Sequence, residues 1–171
     1  QPSVTGNVIA SRPVVRFDGV NDSLLGPAAQ RITRPSTIFV VFQRQAGAYG
    51  GVLQSASGTG GVILGPYGGG EGGYHANNWV RDLGTVPLAQ PLLYSAVNTA
   101  DQSRFFAQGE ERTHNPQYIG NLGRISLGGV DGAWFDPGNN DVAEVIVYNR
   151  ALNDGERQEV EAYLGTRYAL F

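Results

Sequence analysis

One stretch near the end of the chain, residues 141–168, constrains the fold most, because a buried strand runs directly into a capped helix there. Residues 142–148 form a nearly continuous run of apolar side chains, most of them β-branched, that only Glu144 interrupts. Such a run is typical of a strand that packs on both of its faces. A β domain that ends with this strand and one short amphipathic helix is an unusual pattern.

The residues after this strand predict one C-terminal helix over residues 154–167. Asn153 can cap its first turn, and Glu156, three residues later, completes a capping-box pattern. We expect Arg150, which follows the strand, to pair with a carboxylate near the start of the helix. Apolar side chains then recur at helical spacing and predict a face that packs on a sheet, namely Val160, Tyr163, Leu164 and Tyr168.

The rest of the chain consists of short apolar runs separated by turn-forming residues, with 25 glycines in all. We expect one or two strands around Pro13, and further strands over residues 37–43, 52–55, 62–64, 74–83, 92–98, 104–107 and 124–128. The Gly-rich residues 65–73 are expected to form a mobile loop. Strands of this length and spacing favour an antiparallel sandwich.

Several strings resemble the bacterial laminin-G-like, concanavalin-A-like jelly-roll domains. Residues 143–152 and 156–164 are similar to the strand and helix that end those domains, and residues 17–22 are similar to their opening turn. Residues 37–42 and 93–109 agree with a core strand and a strand pair of the family. The resemblance spans residues 13–169 and implies an all-β fold, an antiparallel two-sheet jelly-roll sandwich with one C-terminal helix. Because this fold carries many unrelated activities, the resemblance says little about function.

Composition narrows the class of protein further. A chain of 171 residues with 41% hydrophobic and 16% charged residues suits a single folded domain over residues 1–171. It has no Cys and no Lys, which excludes disulfides, thiolate chemistry and Schiff bases. The net charge of −3 gives no reason to expect nucleic acid as a partner, and no apolar run reaches the length of a membrane span. The resemblance implies an extracellular, cell-surface or virion location.

Catalysis is the first functional hypothesis, because domains of this fold include glycan hydrolases that carry a Glu-x-Asp-x-x-Glu strand. The nearest match is residues 139–144, where Asn139 replaces the first Glu and leaves Asp141 and Glu144. Residues three apart on a regular strand point to opposite faces, whereas retaining hydrolysis needs two carboxylates about 5 Å apart. His75 and His114 have no neighbouring Ser or Asp in a triad pattern. We therefore expect a protein that is not an enzyme.

A structural calcium ion is the second hypothesis, since the resemblance implies one at the rim of the sandwich. Asp18, Asn21 and Asp22 offer oxygen ligands within five residues, and Asp136 and Asp141 bracket a second oxygen-rich turn. If a metal is bound, we expect Asp18, Asp22 and Asp141 to hold it. The alternative is that these residues form turns in which the side chains bond their own backbone.

A binding surface is the third hypothesis. Aromatic side chains that can stack on sugar rings and polar side chains that can bond hydroxyls fall within 16 positions, namely Tyr67, Tyr74, His75, Asn77, Asn78, Trp79, Arg81 and Asp82. Strict alternation would place His75, Trp79 and Arg81 on one face of a strand and Tyr74 on the other. The alternative is that Tyr74 and Trp79 are core residues and that the polar ones are solvated.

These observations favour a non-catalytic recognition module that binds glycan. A structural or decoration domain that binds a protein surface is the second interpretation, and a glycan-active enzyme is the third. Exposed aromatics over residues 74–79 would favour the first, and a large apolar contact the second. Facing carboxylates in a groove would favour the third.

Overall fold

In the described part of the chain, two antiparallel sheets and one C-terminal helix make up the fold, as predicted. The computed structural model describes residues 1–46, 50–56, 62–67, 71–129 and 137–171, without the side chains of Tyr67 and Glu71. The strands are β1 (Ser3–Ile9), β2 (Arg12–Arg16), β3 (Leu24–Leu25), β4 (Ser36–Ala46), β5 (Leu53–Ser55), β6 (Val62–Tyr67), β7 (Glu71–Ala76), β8 (Trp79–Thr85), β9 (Pro91–Asn98), β10 (Ser103–Ala107), β11 (Glu110–Glu111), β12 (Ile125–Leu127) and β13 (Asn139–Tyr148). The helix is α1 (Asp154–Tyr168).

The strands form a seven-stranded sheet in the order β1-β2-β13-β4-β9-β10-β11 and a six-stranded sheet in the order β3-β12-β5-β6-β7-β8. β4 lies at the centre of the larger sheet and sends alternate side chains to opposite faces. Phe42 packs in the core between the sheets, and Phe39 packs on the outer face, beneath the helix. β13 also packs on both faces, as its apolar run predicts, with Val145 inside and Ile146 outside.

The helix begins and ends close to the predicted positions because its caps are encoded locally. The Glu156 N–H donates to Asn153 Oδ1 at 2.9 Å, and the Asn153 N–H donates to Glu156 Oε2 at 2.9 Å, which completes the capping box. Arg150 pairs with Glu156 through two hydrogen bonds of 2.8 Å, as expected. At the other end Ala169 adopts a left-handed conformation and its N–H donates to Gly165 O.

The packed face of the helix differs from the prediction. Leu164 and Tyr168 are buried as expected, but the Tyr163 side chain is 50% exposed. Two charged residues, Arg157 and Glu161, occupy the buried stripe instead. They form an ion pair with each other, which lets both side chains be buried. A pattern of apolar residues alone would place them on the exposed face. Among the described residues, no helix is long and apolar enough to cross a membrane.

Two predictions about the segment from residue 65 to residue 83 are wrong. Residues 65–73 are not one loop, because β6 continues to Tyr67 and β7 starts at Glu71. The glycines there permit close approach of strands, since a Cβ on Gly73 would lie 2.1 Å from Arg81 O. Residues 74–83 are not one strand either. The two-residue turn Asn77-Asn78, with Asn77 at a φ of 66°, folds β7 and β8 into a hairpin.

Candidate functional site

The outer face of the six-stranded sheet carries a row of side chains that face away from the core. The core takes Leu64, Tyr74 and Val80 from the last three strands. The residues that precede or follow them in the cross-strand row, Ile63, His75 and Trp79, therefore face outward. Cross-strand pairing then aligns a row across the sheet in the order Leu25, Ser126, Gln54, Ile63, His75 and Trp79. The row ends at β8, an edge strand.

An aromatic pair on the β7–β8 hairpin is the distinctive part of this row, and we call it the aromatic pair. His75 and Trp79 are direct cross-strand partners, and their ring centres lie 5.4 Å apart with an interplanar angle of 85°. Both side chains are half-buried. The edge-to-face contact restrains the indole on the sheet surface while part of it remains accessible to solvent.

Tyr74 does not belong to this surface, which corrects its prediction as a ligand-binding residue. Its side chain is fully buried between the sheets, its ring stacks on Phe105 at 6.2 Å, and its hydroxyl donates to Asn98 Oδ1 at 2.7 Å. Burial raises the pKa of Tyr74 to about 12, because the phenolate would lose its hydration. Tyr74 is therefore a core residue, as the alternative interpretation of the cluster states.

The polar members of the predicted cluster are divided between the β7–β8 turn and β8. Asn77 and Asn78 form the β7–β8 turn and are exposed; the Asn77 amide donates to Ile119 O, and Asn78 Oδ1 accepts from the Trp79 N–H at 2.8 Å. Asp82 is exposed and accepts from the Gly84 N–H at 2.8 Å. The amides of Asn77 and Asn78 therefore border the aromatic pair at the hairpin turn, whereas the Asp82 carboxylate lies further along β8.

Arg81 and Tyr67 complete the predicted set. Arg81 is half-buried, and its Nε has no hydrogen-bond partner among the residues that the structure describes. A register shift in the β7–β8 pairing next to Trp79 removes the strict alternation that predicted a shared face for Arg81 and Trp79. The side chain of Tyr67 lies outside the described residues.

Four members of the row were missed from sequence, and Ile63 and Gln54 are the two nearest to the aromatic pair. Ile63 and Gln54 lie next to the aromatic pair across the sheet, and Gln54 is buried with no hydrogen-bond partner for its Nε2 within the described ranges. The alternation Val62-Ile63-Leu64 was the available signal for Ile63. No local signal identifies Gln54, because its position depends on the pairing of β5 with β12 and β6.

The three carboxylates predicted to bind calcium each have other partners. Asp18 Oδ1 accepts from the Val20 N–H at 2.8 Å, and Asp22 Oδ2 accepts from the Asp18 N–H at 3.2 Å. These are the side-chain to backbone hydrogen bonds of a turn, as the alternative interpretation states. Asp141 is fully buried, and both its oxygens accept from Arg16, at 2.7 and 2.8 Å.

Calcium prefers about six to eight oxygen ligands. Both oxygens of Asp141 already bind the positively charged guanidinium group of Arg16, which occupies the position that a metal ion would need. No group of three or more His, Cys, Asp or Glu that could hold a metal occurs in the described part of the chain. The carboxylates of Asp18, Asp22 and Asp141 therefore do not fit a calcium ion in this arrangement, and Asp136 lies outside the described residues.

Asp141 and Glu144 lie on the same face of β13, contrary to the prediction. A register shift between Val142 and Glu144 places an extra residue between them, so both point to the outer, helix-bearing side. Glu144 Oε2 lies 3.0 Å from Arg167 Nε and accepts from the Tyr168 hydroxyl at 2.8 Å. The two carboxylates have separate partners and do not form a pair.

Comparison with solved structures places the fold among β-sandwich, jelly-roll-like folds. No protein-family model and no curated protein sequence matches the chain. The binding domain of botulinum neurotoxin serotype D superposes with a TM-score of 0.64 at 10% identity, over 95% of this chain and 44% of that one. A heptameric SAP-like pentraxin from Limulus polyphemus gives 0.61 at 14% identity, over 85% and 80% of the two chains.

A Trypanosoma rangeli sialidase in complex with sialic acid gives a TM-score of 0.62 at 15% identity. The match covers 92% of this chain but only 29% of the sialidase, so the chain spans less than a third of that enzyme's length. At these identities the likeness concerns the fold.

Proposed function

We propose that this chain is a non-catalytic glycan-recognition module of the laminin-G-like, concanavalin-A-like type, carried by a secreted, cell-surface or virion protein. The observation that carries the proposal is the aromatic pair, His75 and Trp79, on the outer face of an edge hairpin. A partly exposed indole held by a neighbouring ring offers a flat apolar surface of the kind that stacks on sugar C–H groups. The exposed amides of Asn77 and Asn78 lie at the adjoining turn, where they can bond hydroxyls.

Further support comes from the carboxylates and from the related folds. Asp141 binds Arg16, and Glu144 binds Arg167 and Tyr168, so the two carboxylates do not form the facing pair that hydrolysis needs. This supports a module that does not hydrolyse its ligand. The pentraxin and the neurotoxin binding domain share the fold, and the second is named for binding. These likenesses support the sandwich fold on which the proposed recognition module is built.

The test is glycan-array retention of the Trp79→Ala variant. Because Trp79 is only half-buried, we expect a loss of stability well below the roughly 3–5 kcal/mol of a core aromatic, together with loss of glycan retention. Trp79→Phe keeps a ring at this position and is the matched control that should retain weakened binding. His75→Ala removes the neighbouring ring and should also weaken retention. A folded Trp79→Ala protein that is retained on the same glycans as the wild type would defeat the proposal.

A structural or protein-interaction role is the second candidate, and exposed apolar residues on the opposite edge favour it. Val4 on β1 is 79% exposed, and Leu24 and Leu25 on β3 are also exposed, on the edge strands of the two sheets. Exposed apolar side chains at unpaired edges are sites for association with another chain. Sedimentation of the wild type and of Leu24→Glu distinguishes the candidates, since a dimer that this change dissociates would favour the interaction role.

A further inference from the structure

An open groove with a volume of about 490 Å³ lies between the C-terminal half of α1 and the β1–β2 hairpin. It is lined by Arg12, Ala162, Tyr163, Thr166 and Arg167. It lies on the outer face of the seven-stranded sheet, whereas the aromatic pair lies on the outer face of the six-stranded sheet. The volume is in the range of a site for a small ligand.

Two arginines that line this groove, Arg12 and Arg167, are each held by a contact within the fold. Arg12 Nε donates to Arg167 O at 3.0 Å, which anchors β2 to the last turn of the helix. Arg167 Nε lies 3.0 Å from Glu144 Oε2. The terminal nitrogens of Arg12 have no hydrogen-bond partner among the described residues, and so they remain available to an incoming acceptor. Two guanidinium groups against the single carboxylate of Glu144 leave the groove positive in a chain whose net charge is −3.

The groove also has an aromatic wall that the core does not use. Tyr163 is 50% exposed, and the guanidinium carbon of Arg167 lies 5.7 Å from its ring centre. Ala162 and Thr166 are exposed beside it, so a small side chain leaves space and a hydroxyl can donate or accept. A flat ring, a hydroxyl and two forked donors together match a ligand that is both ring-shaped and anionic.

We propose that this groove binds a saccharide residue that carries a carboxylate. The carboxylate accepts hydrogen bonds from Arg12 and Arg167, and the apolar face of the sugar stacks on Tyr163. The two guanidinium groups exceed the charge of Glu144 and the partial negative charge at the C-terminal end of the helix by only about half a charge, which suits a singly charged carboxylate better than a doubly charged phosphate. The site is separate from the aromatic pair and does not depend on it.

The experiment measures binding of trigalacturonate and of its fully methyl-esterified form by calorimetry. We expect the free acid to bind at least tenfold more tightly than the ester, because the ester keeps the sugar rings and removes the charge. Higher salt should weaken the binding of the acid. Equal binding of the two probes, or no binding of trigalacturonate, would overturn the proposal.

Variants on the exposed surface of the helix, and at the half-buried Arg12, localise the binding. Thr166→Glu places a carboxylate in the groove and should abolish binding of trigalacturonate, whereas Gln158→Glu adds the same charge elsewhere on the exposed surface of the helix and should not. Tyr163→Ala should weaken binding at least tenfold. Arg12→Gln should do the same, and Arg112→Gln, on an exposed arginine paired with Glu110, is its charge-matched control.

Trp79→Ala separates this proposal from the proposed function. It should bind trigalacturonate as the wild type does, even if it loses retention on other glycans. Loss of trigalacturonate binding in Trp79→Ala, with full binding in Thr166→Glu, would assign the acidic sugar to the aromatic pair and overturn the groove.

Discussion

Replacement of Glu161 by alanine tests how the helix is held on the sheet. Glu161 and Arg157 are 3% and 4% exposed, and the Arg157 Nη1 donates to Glu161 Oε2. Glu161 also accepts from the hydroxyl of Ser95 on β9. Removal of one partner from a buried ion pair costs about 3–5 kcal/mol, since the other charge remains buried without compensation.

Two contacts of Arg157 survive the change and set the expected size of the effect. Its guanidinium carbon lies 3.8 Å from the centre of the Phe106 ring, and its Nε lies 3.7 Å from Asp154 Oδ1. We therefore expect the lower end of the range, about 3 kcal/mol in the free energy of unfolding. For a chain of this size that corresponds to a fall of about 6–12 °C in the melting temperature.

Urea denaturation followed by circular dichroism measures this loss, with an unchanged slope as the sign that the unfolded state is not altered. Glu159→Ala is the matched control, because Glu159 is exposed on the same helix, and it should change stability by less than about 0.5 kcal/mol. The double variant Arg157→Met, Glu161→Met should be more stable than Glu161→Ala, since it leaves no buried charge. Equal stabilities of Glu161→Ala and Glu159→Ala would refute the argument.

Three further experiments, two substitutions and one comparison of calcium with chelator, test individual features of the structure. Tyr74→Phe removes the buried hydroxyl that bonds Asn98 and should cost about 1–2 kcal/mol while glycan retention is unchanged; lost retention would contradict its place in the core. The hydrogen bonds from Arg150, and then from the Asn153 N–H, hold the pKa of Glu156 at about 2, below its usual 4.5. Its stabilising contribution is thus present above pH 4.5 and lost as the pH falls towards 2, and urea midpoints of Glu156→Gln across this window should show a smaller decline than those of the wild type. Melting midpoints in calcium and in chelator should be equal, because Asp18, Asp22 and Asp141 have other partners; a rise with calcium would restore the predicted metal site.

The helix could be predicted from sequence because its determinants are local. Asn153 and Glu156 cap it through bonds that span three residues, and the predicted end differs from the observed one by a single residue. Its buried face could not be predicted in the same way. Arg157 is buried only because Glu161 and Phe106 receive it, and Phe106 comes from a strand about fifty residues earlier in the chain. Apolar periodicity therefore assigned Tyr163 to the packed face in error.

The candidate site shows the same division between local and distant determinants. The two-residue turn at Asn77-Asn78 was a readable local signal, and its omission led to a single predicted strand over residues 74–83. Alternation nevertheless assigned His75 and Trp79 to one face and Tyr74 to the other, as observed. The partner of Asp141 was not readable, because Arg16 is 125 positions away and reaches it only through the pairing of β2 with β13. A buried aspartate that appeared available for a metal is thus half of an ion pair.

Glu144 belongs both to the strand that was compared with glycan hydrolases and to the surroundings of the proposed groove. In the Glu-x-Asp-x-x-Glu strand pattern of those enzymes its position belongs to the second Glu. Here the register shift after Val142 directs Glu144 towards the helix, where it lies against Arg167 Nε and accepts from the Tyr168 hydroxyl. A carboxylate held by these two partners positions the arginine that forms one side of the groove. If the groove binds an acidic sugar, Glu144 contributes by orienting Arg167, and Glu144→Gln should weaken binding of trigalacturonate through that arginine rather than through contact with the ligand.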